Sequence, residues 1–263
     1  MNKSKTPGSA TYAVSRSRGK QPEESAFTAR LREMRKAKGQ ARSSDESESE
    51  DENESGVIIL HKLFNRKVVL HSDDTVVKSG KRIAIGEAEA LKVAALAGIP
   101  APRFLEANTT PDGRSIRMSY VHGESPDTLW PSMTVNQKKD IASQLRIIIE
   151  QMRSVTPPAN LIGACDGTEI RDTRAFTRRL RTNHRVVLTH CDLAPRNILV
   201  QEGKIQGLVD WEDSGWYPEY WEYVKFFQRP ADKDWKLYAQ EIFPELYHEE
   251  LVTFIAMSRF QNT

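Results

Sequence analysis

The stretch HCDLAPRNILVQEGKIQGLVDWE occupies residues 190–212 and decides how the whole chain is read. Asp192 stands five residues before Asn197, and Asp210 follows thirteen residues after that. Between them Ile198, Leu199 and Val200 form a short apolar run, Gln201 to Lys204 carry a turn with Gly203, and Ile205 to Val209 resume as strand. Such a hairpin returns Asp210 to the side of Asn197. One carboxylate is then placed to take the proton of an attacking hydroxyl. An amide oxygen and a second carboxylate are placed to ligate magnesium, a hard cation that keeps water and phosphate oxygens as its other ligands. A lone Asp more often caps a turn or ends a strand. Four chemistry-bearing positions in this order, His190 included, outweigh that reading.

The run THCDLAPRNILV, followed by GLVDWEDSGWYPEYWEYVKF, resembles the aminoglycoside phosphotransferase and choline kinase-like superfamily, and within it a fungal branch of phosphotransferase-domain proteins. The resemblance spans residues 56–263 and is most specific from His190 to Tyr223. It implies a two-lobed protein-kinase-like α+β fold, with a small antiparallel-sheet lobe over residues 56–122 and a mainly helical catalytic lobe over 123–263. It also carries the catalytic-base role to Asp192 and magnesium ligation to Asn197 and Asp210. ATP and Mg2+ are the implied cofactors, and the implied reaction moves a γ-phosphoryl group to a hydroxyl of a small molecule. The alternative is a non-catalytic nucleotide-binding or partner-binding module of the same fold.

Upstream, apolar runs at Val57 to Leu60, Lys67 to Leu70 and Thr75 to Val77 are separated by polar turns such as HSDD at 71–74, which predicts an antiparallel sheet. Lys78 ends the third run. The segment GEAEALKVAALAG at 86–98 reads as a helix closed by Gly98 and Pro100. In kinases a strand lysine on the α and β phosphates is held by a helix glutamate. Measured back from IPAP, Glu89 fits the glutamate of the equivalent helix in the resembling family, and Glu87 is the alternative. The bland reading makes both glutamates favourable charges near a helix N-terminus. The same resemblance gives the adenine edge backbone groups of Ser119 and Val121, with Met118 behind the pocket. One expected device is missing, because Gly56 is the sole glycine between residues 56 and 78 and no G-x-G-x-x-G lid exists.

In the large lobe Thr134 and Gln137 have capping-box spacing. Ile141, Leu145, Ile148 and Met152 then recur at helical intervals, which predicts a buried helix ending near Met152, with Arg146 and Glu150 as a solvent-facing pair. The connection from Pro157 to the catalytic loop is shorter than the resembling family's. His190 reads as a scaffold histidine bonded to the loop backbone. Cys191, at a position the family usually fills with glycine, reads as a packed thiol. Arg196 pairs either with a nucleotide phosphate or with carboxylates of its own loop. Trp211, Trp216, Tyr217, Tyr220, Trp221 and Tyr223 form either a packing layer, the favoured reading, or a box for a cationic acceptor.

Composition bounds what remains. Over 263 residues the net charge is only +2, but residues 1–42 carry eleven Lys or Arg against three Glu, and SSDESESEDENES at 43–55 carries seven acidic residues and no basic one. With so few apolar side chains, residues 1–55 are expected to be a disordered tail. Phe27, Leu31 and Met34 recur there at helical spacing among basic residues, so an unidentified partner of the tail is conceivable, with nucleic acid not favoured. Two cysteines do not make a disulfide framework, and no apolar run approaches a membrane span. A cytoplasmic location is the resulting expectation.

Overall fold

The computed structural model describes residues 57–63, 65–159, 161–168 and 184–260, without the side chains of 259 and 260. The charged segment 1–55, its Phe27, Leu31 and Met34 repeat, and most of the connection through Phe176 lie outside the described residues.

Five antiparallel strands build the small lobe: β1 (Val57–Leu63), β2 (Arg66–His71), β3 (Thr75–Gly80), β4 (Phe104–Thr110) and β5 (Gly113–Ser119). Their order across the sheet is β1-β2-β3-β5-β4. Alternation places Val76 and Lys78 on the buried face of β3, opposite Met118 and Ile116 of β5. Helix α1 (Gly86–Leu96) closes that face with Ala90, Leu91 and Ala94. It ends at Gly98, whose φ of +68° is cheap for glycine alone.

The large lobe hangs from a hinge after β5. Helix α2 (Pro126–Leu129) leads through a 3-10 turn at Trp130–Ser132 to α3 (Val135–Ser154). The predicted capping box is present, with the Thr134 side chain accepting from the Gln137 amide and Gln137 Oε1 accepting from the Thr134 amide at 2.8 Å. Ile141, Leu145, Ile148, Ile149 and Met152 form its buried stripe. Each such side chain contributes about 1.5–3 kcal/mol on burial. Arg146 departs from expectation: besides Glu150 it donates to the carbonyls of Gln240, Phe243 and Pro244, and so ties α3 to the carboxy-terminal region.

Short strands β6 (Gly163–Ala164) and β7 (Val186–Thr189) flank β10 (Gly215–Pro218), while β8 (Ile198–Gln201) and β9 (Lys204–Leu208) form the predicted hairpin. Helices α4 (Trp221–Gln228), α5 (Lys233–Leu237), α6 (Ala239–Ile242) and α7 (His248–Phe260) complete the lobe. Trp211, Trp216, Tyr217, Tyr220, Trp221 and Tyr223 are all buried, so they form the packing layer and not an open box. No described helix is long and apolar enough to cross a membrane.

Candidate active site between the lobes

The segment bearing His190, Cys191 and Asp192 is held from behind by hydrogen bonds. The Glu222 carboxylate, 1% exposed, accepts from the backbone amides of both His190 and Cys191. Burial pushes its pKa up to about 7 against the lowering effect of those amides. His190 is fully buried, and desolvation takes its pKa down to about 4, so the ring is neutral. Its Nε2 lies 3.1 Å from the Val209 carbonyl and its Nδ1 3.3 Å from the Asp192 amide. One tautomer satisfies both contacts: Nε2 donates to the carbonyl and Nδ1 accepts from the amide. The imidazole therefore ties the loop bearing Asp192 to the strand end bearing Asp210, the scaffold role expected of it. Cys191 is buried at a φ of +67°, a left-handed conformation that explains why glycine suits this position. Its thiol packs against the Thr189 hydroxyl at 3.2 Å, and burial raises its pKa.

The hairpin delivers the second half of the constellation. Ile198 pairs with Leu208, and the Val209 amide donates to the Asn197 carbonyl at 2.8 Å, which brings Asp210 beside Asn197. Asn197 Nδ2 donates to the Asp192 carbonyl at 3.0 Å, leaving Oδ1 as the acceptor end of the amide. Asp210 sits at φ 66° and ψ 61°, a conformation Asp tolerates better than most residues.

Above them Lys78, only 4% exposed in its side chain, reaches down from β3. Its Nζ lies 2.6 Å from Glu87 Oε2, 2.6 Å from Asp210 Oδ1 and 3.1 Å from Glu212 Oε2. The partner glutamate is thus Glu87 and not Glu89, which is half exposed and pairs with Lys92 at 2.7 Å. The reason is helical rotation: Glu87 shares the i, i+3, i+4, i+7 stripe with the buried Ala90, Leu91 and Ala94, whereas Glu89 shares its face with Lys92. Glu87 also accepts from the Trp211 amide at 3.2 Å, so both its oxygens are engaged. Burial alone would raise the Asp210 pKa, but Lys78 and Arg66 outweigh it and hold the carboxyl down at about 2.

Asp210, Glu212 and Glu87 place carboxylate oxygens within 4.8 Å of one another. Glu87 is buried against Lys78 and Trp211, whereas Asp210 and Glu212, although paired with Lys78 and Arg66, are partly exposed; their oxygens and Asn197 Oδ1 are the ones suited to a hard cation. This all-oxygen, anion-rich set fits magnesium.

Beyond this set, Arg196 Nη2 contacts both oxygens of Asp192, at 2.9 and 2.6 Å, the loop-carboxylate pairing that is one of its two alternatives. Arg229 adds its Nε at 3.3 Å from Asp192 Oδ1 and holds Asp213 through Nη2. At the hinge the Ser119 amide donates to the Arg103 carbonyl and its hydroxyl accepts from the Arg103 amide. Val121 packs close to Gly207 of β9. Sequence reasoning did not single out Arg66, Glu212 or Arg229 for the site. Each reaches its partners across 16 to 146 positions, and the nearest local signal was the acidic spacing of Asp210 and Glu212.

Three comparisons bear on this geometry. A family model described as the phosphotransferase enzyme family matches residues 164–248. A search of curated proteins gave no match. Among solved structures, an aminoglycoside-3'-phosphotransferase of type VIII is 15% identical with a TM-score of 0.55, over 78% of this chain and 93% of that one. The streptomycin and ATP ternary complex of APH(2'')-IIa is 12% identical with a TM-score of 0.53, over 87% and 85%. The GDP complex of an aminoglycoside 2'-phosphotransferase IIIa variant is 16% identical with a TM-score of 0.54, over 87% and 86%. The chain thus has the two-lobed, kinase-like fold of the aminoglycoside phosphotransferase structures.

Proposed function

We propose that this chain is an ATP- and magnesium-dependent phosphotransferase whose acceptor is a hydroxyl of a small molecule. The observation that carries the reading is the double contact of Lys78: its ammonium joins the small-lobe Glu87 to the large-lobe Asp210, both at 2.6 Å, beside the loop that bears Asp192 and Asn197. The family match over 164–248 and the fold likeness support it. The fungal-branch resemblance rests on the motif residues alone. A small lobe over 56–122 would hold the nucleotide, and a large lobe over 123–263 would supply the chemistry.

In this reading Lys78 binds the α and β phosphates, and Glu87 fixes its ammonium. The hinge offers the backbone of Ser119 and Val121 to adenine. Asn197 and Asp210 would hold the Mg2+, with Glu212 alongside; when bound, the ion neutralises phosphate charge. Asp192 orients the acceptor hydroxyl and takes its proton as the new O–P bond forms and the bond between the β,γ-bridging oxygen and the γ phosphorus breaks, releasing ADP. That requires the Arg196 contact with Asp192 to open. Positioning and fixed charges supply most of the acceleration.

The test is to incubate the purified protein with magnesium ATP and a library of hydroxyl metabolites, and to follow gain of a phosphate group by mass spectrometry. Phosphorylated product that disappears in Asp192→Asn is expected. ATP binding without any product would instead favour the non-catalytic module.

A further inference from the structure

Between Gly56 and Gly80 the small lobe has no glycine that could bring backbone amides close to phosphates. What stands there is Arg66, the first residue of β2, directly after the β1 to β2 turn. Its guanidinium crosses to the large lobe, where Nη2 lies 2.9 Å from Asp210 Oδ1 and Nη1 lies 2.9 Å from Glu212 Oε1. These are two of the carboxylates suited to a hard cation. Arg66 Nε is buried and has no hydrogen-bond partner. The fork is therefore only partly used: two donors serve carboxylates and a third serves nothing.

The backbone carrying Arg66 is fixed. Gly80 of β3 adopts φ +149°, and a Cβ there would lie 2.0 Å from the Asn65 carbonyl oxygen, so the Asn65–Arg66 backbone rests directly on β3. The close approach that glycine permits in this lobe admits the chain's own backbone. Arg66 can change partners by side-chain rotation alone.

Charge decides which partners it keeps. Among the described residues Lys78 and Arg66 form ion pairs with Glu87, Asp210 and Glu212, two positive groups against three negative. Both cations meet Oδ1 of Asp210. A dication held by Asp210 and Glu212 would lie close to the guanidinium on the same two carboxylates, and like charges at such range repel. A polyphosphate arriving with the ion offers the guanidinium what the carboxylates do not, a bidentate acceptor that engages Nε.

We propose that Arg66 is an exchangeable cation of this site: it occupies the Asp210 and Glu212 carboxylates in the empty cleft, yields them to the divalent ion, and turns onto the terminal phosphates of the nucleotide. The proposal rests on the phosphotransferase reading and assigns the task of the missing glycine lid to one side chain.

The test compares full-length wild type, Arg66→Ala and Arg66→Lys. Binding of Mn2+ alone is followed by electron paramagnetic resonance, and binding of magnesium ATP by calorimetry. Losing a charge-assisted hydrogen-bond pair to phosphate should weaken magnesium ATP binding by about tenfold or more. Removal of the competing guanidinium should tighten Mn2+ binding several-fold. Arg66→Lys should fall between, since it keeps a charge without the fork. Opposite signs for ion and nucleotide mark exchange, whereas a purely structural strap lowers both together. Parallel losses, or no change in Arg66→Ala while wild type binds both ligands, would overturn the role of Arg66 and leave the phosphotransferase reading standing. Wild type that binds neither ligand would overturn both.

Discussion

The two halves of the cleft are built from the same residue types and balanced differently. On the nucleotide side Lys78 and Arg66 face three carboxylates, and the ion pair of Lys78 with Glu87 is almost wholly buried. On the acceptor side Arg196 and Arg229 face Asp192 and Asp213, two against two, with the Arg196 side chain 43% exposed. Among the described residues the first half has one more carboxylate than cation, and Asp210 and Glu212 remain partly exposed. In the second half the charges match, and in the proposed reaction Asp192 sheds the exposed Arg196 before it accepts a proton. Arg196 is exposed while its partner Asp192 is buried, and Asp192 keeps the Arg229 contact when Arg196 leaves. In the proposed reading each half thus holds an arginine that must leave its carboxylates, Arg66 on one side and the more exposed Arg196 on the other, while the buried pair of Lys78 with Glu87 stays in place.

The strongest challenge to this contrast is Asp192→Asn. If the acceptor half does chemistry and not scaffolding, turnover should fall about a hundredfold or more with the folding transition and ATP affinity retained, as for loss of a positioned base. Turnover close to wild type would remove Asp192 from the proton-accepting role. Loss of ATP affinity would show that the two halves are not separable.

Asp210→Ala addresses the other half. Because it deletes an anionic oxygen beside Lys78 and Arg66, magnesium-dependent ATP binding should weaken by about tenfold or more, while metal-free ATP binding changes less. Asn197→Ala should act in the same direction with a smaller loss. Titrations with and without magnesium distinguish the cases, and equal losses in both would mark a structural defect.

A finer cut comes from the two glutamates of α1. Glu87→Gln removes the buried partner of Lys78, and ATP affinity should drop several-fold, limited because Asp210 and Glu212 still hold the ammonium. Glu89→Gln removes one half of an exposed pair with Lys92, worth a few tenths of a kcal/mol, and should leave ATP affinity unchanged. Equal effects of the two substitutions would contradict the orientation of the helix.

These residues also show what the sequence could disclose. The β8 to β9 hairpin, the Thr134 cap and the stripe of α3 were legible because their signals lie within a few residues of one another. Glu87 was within reach too: its stripe with Ala90, Leu91 and Ala94 points inward, a stronger warrant than counting back from Ile99. Arg66 was not legible. An arginine at a strand start carries no local mark of carboxylates 144 and 146 positions away, and only the folded lobes bring them together. Arg146 failed in the opposite way, because its i, i+4 spacing with Glu150 was real and concealed its longer reach to the carbonyls after α6.

The smallest expected effect concerns the support beneath both halves. The Glu222 pKa is raised from 4.5 to about 7 in the folded protein, with burial the largest cause. Folding then binds a proton that the unfolded chain has already released between these values. The contribution of Glu222 is full below about pH 4.5 and is lost as pH rises through 7. Glu222→Gln cannot ionise and keeps an oxygen for one of the two backbone amides. Its unfolding free energy should therefore fall less steeply than wild type between pH 4.5 and 7 in denaturant titrations, whatever its absolute stability. Other groups titrate alike in both proteins, so the difference in slope isolates this carboxyl. Parallel curves would mean that Glu222 is ionised throughout, with its two backbone amides outweighing burial.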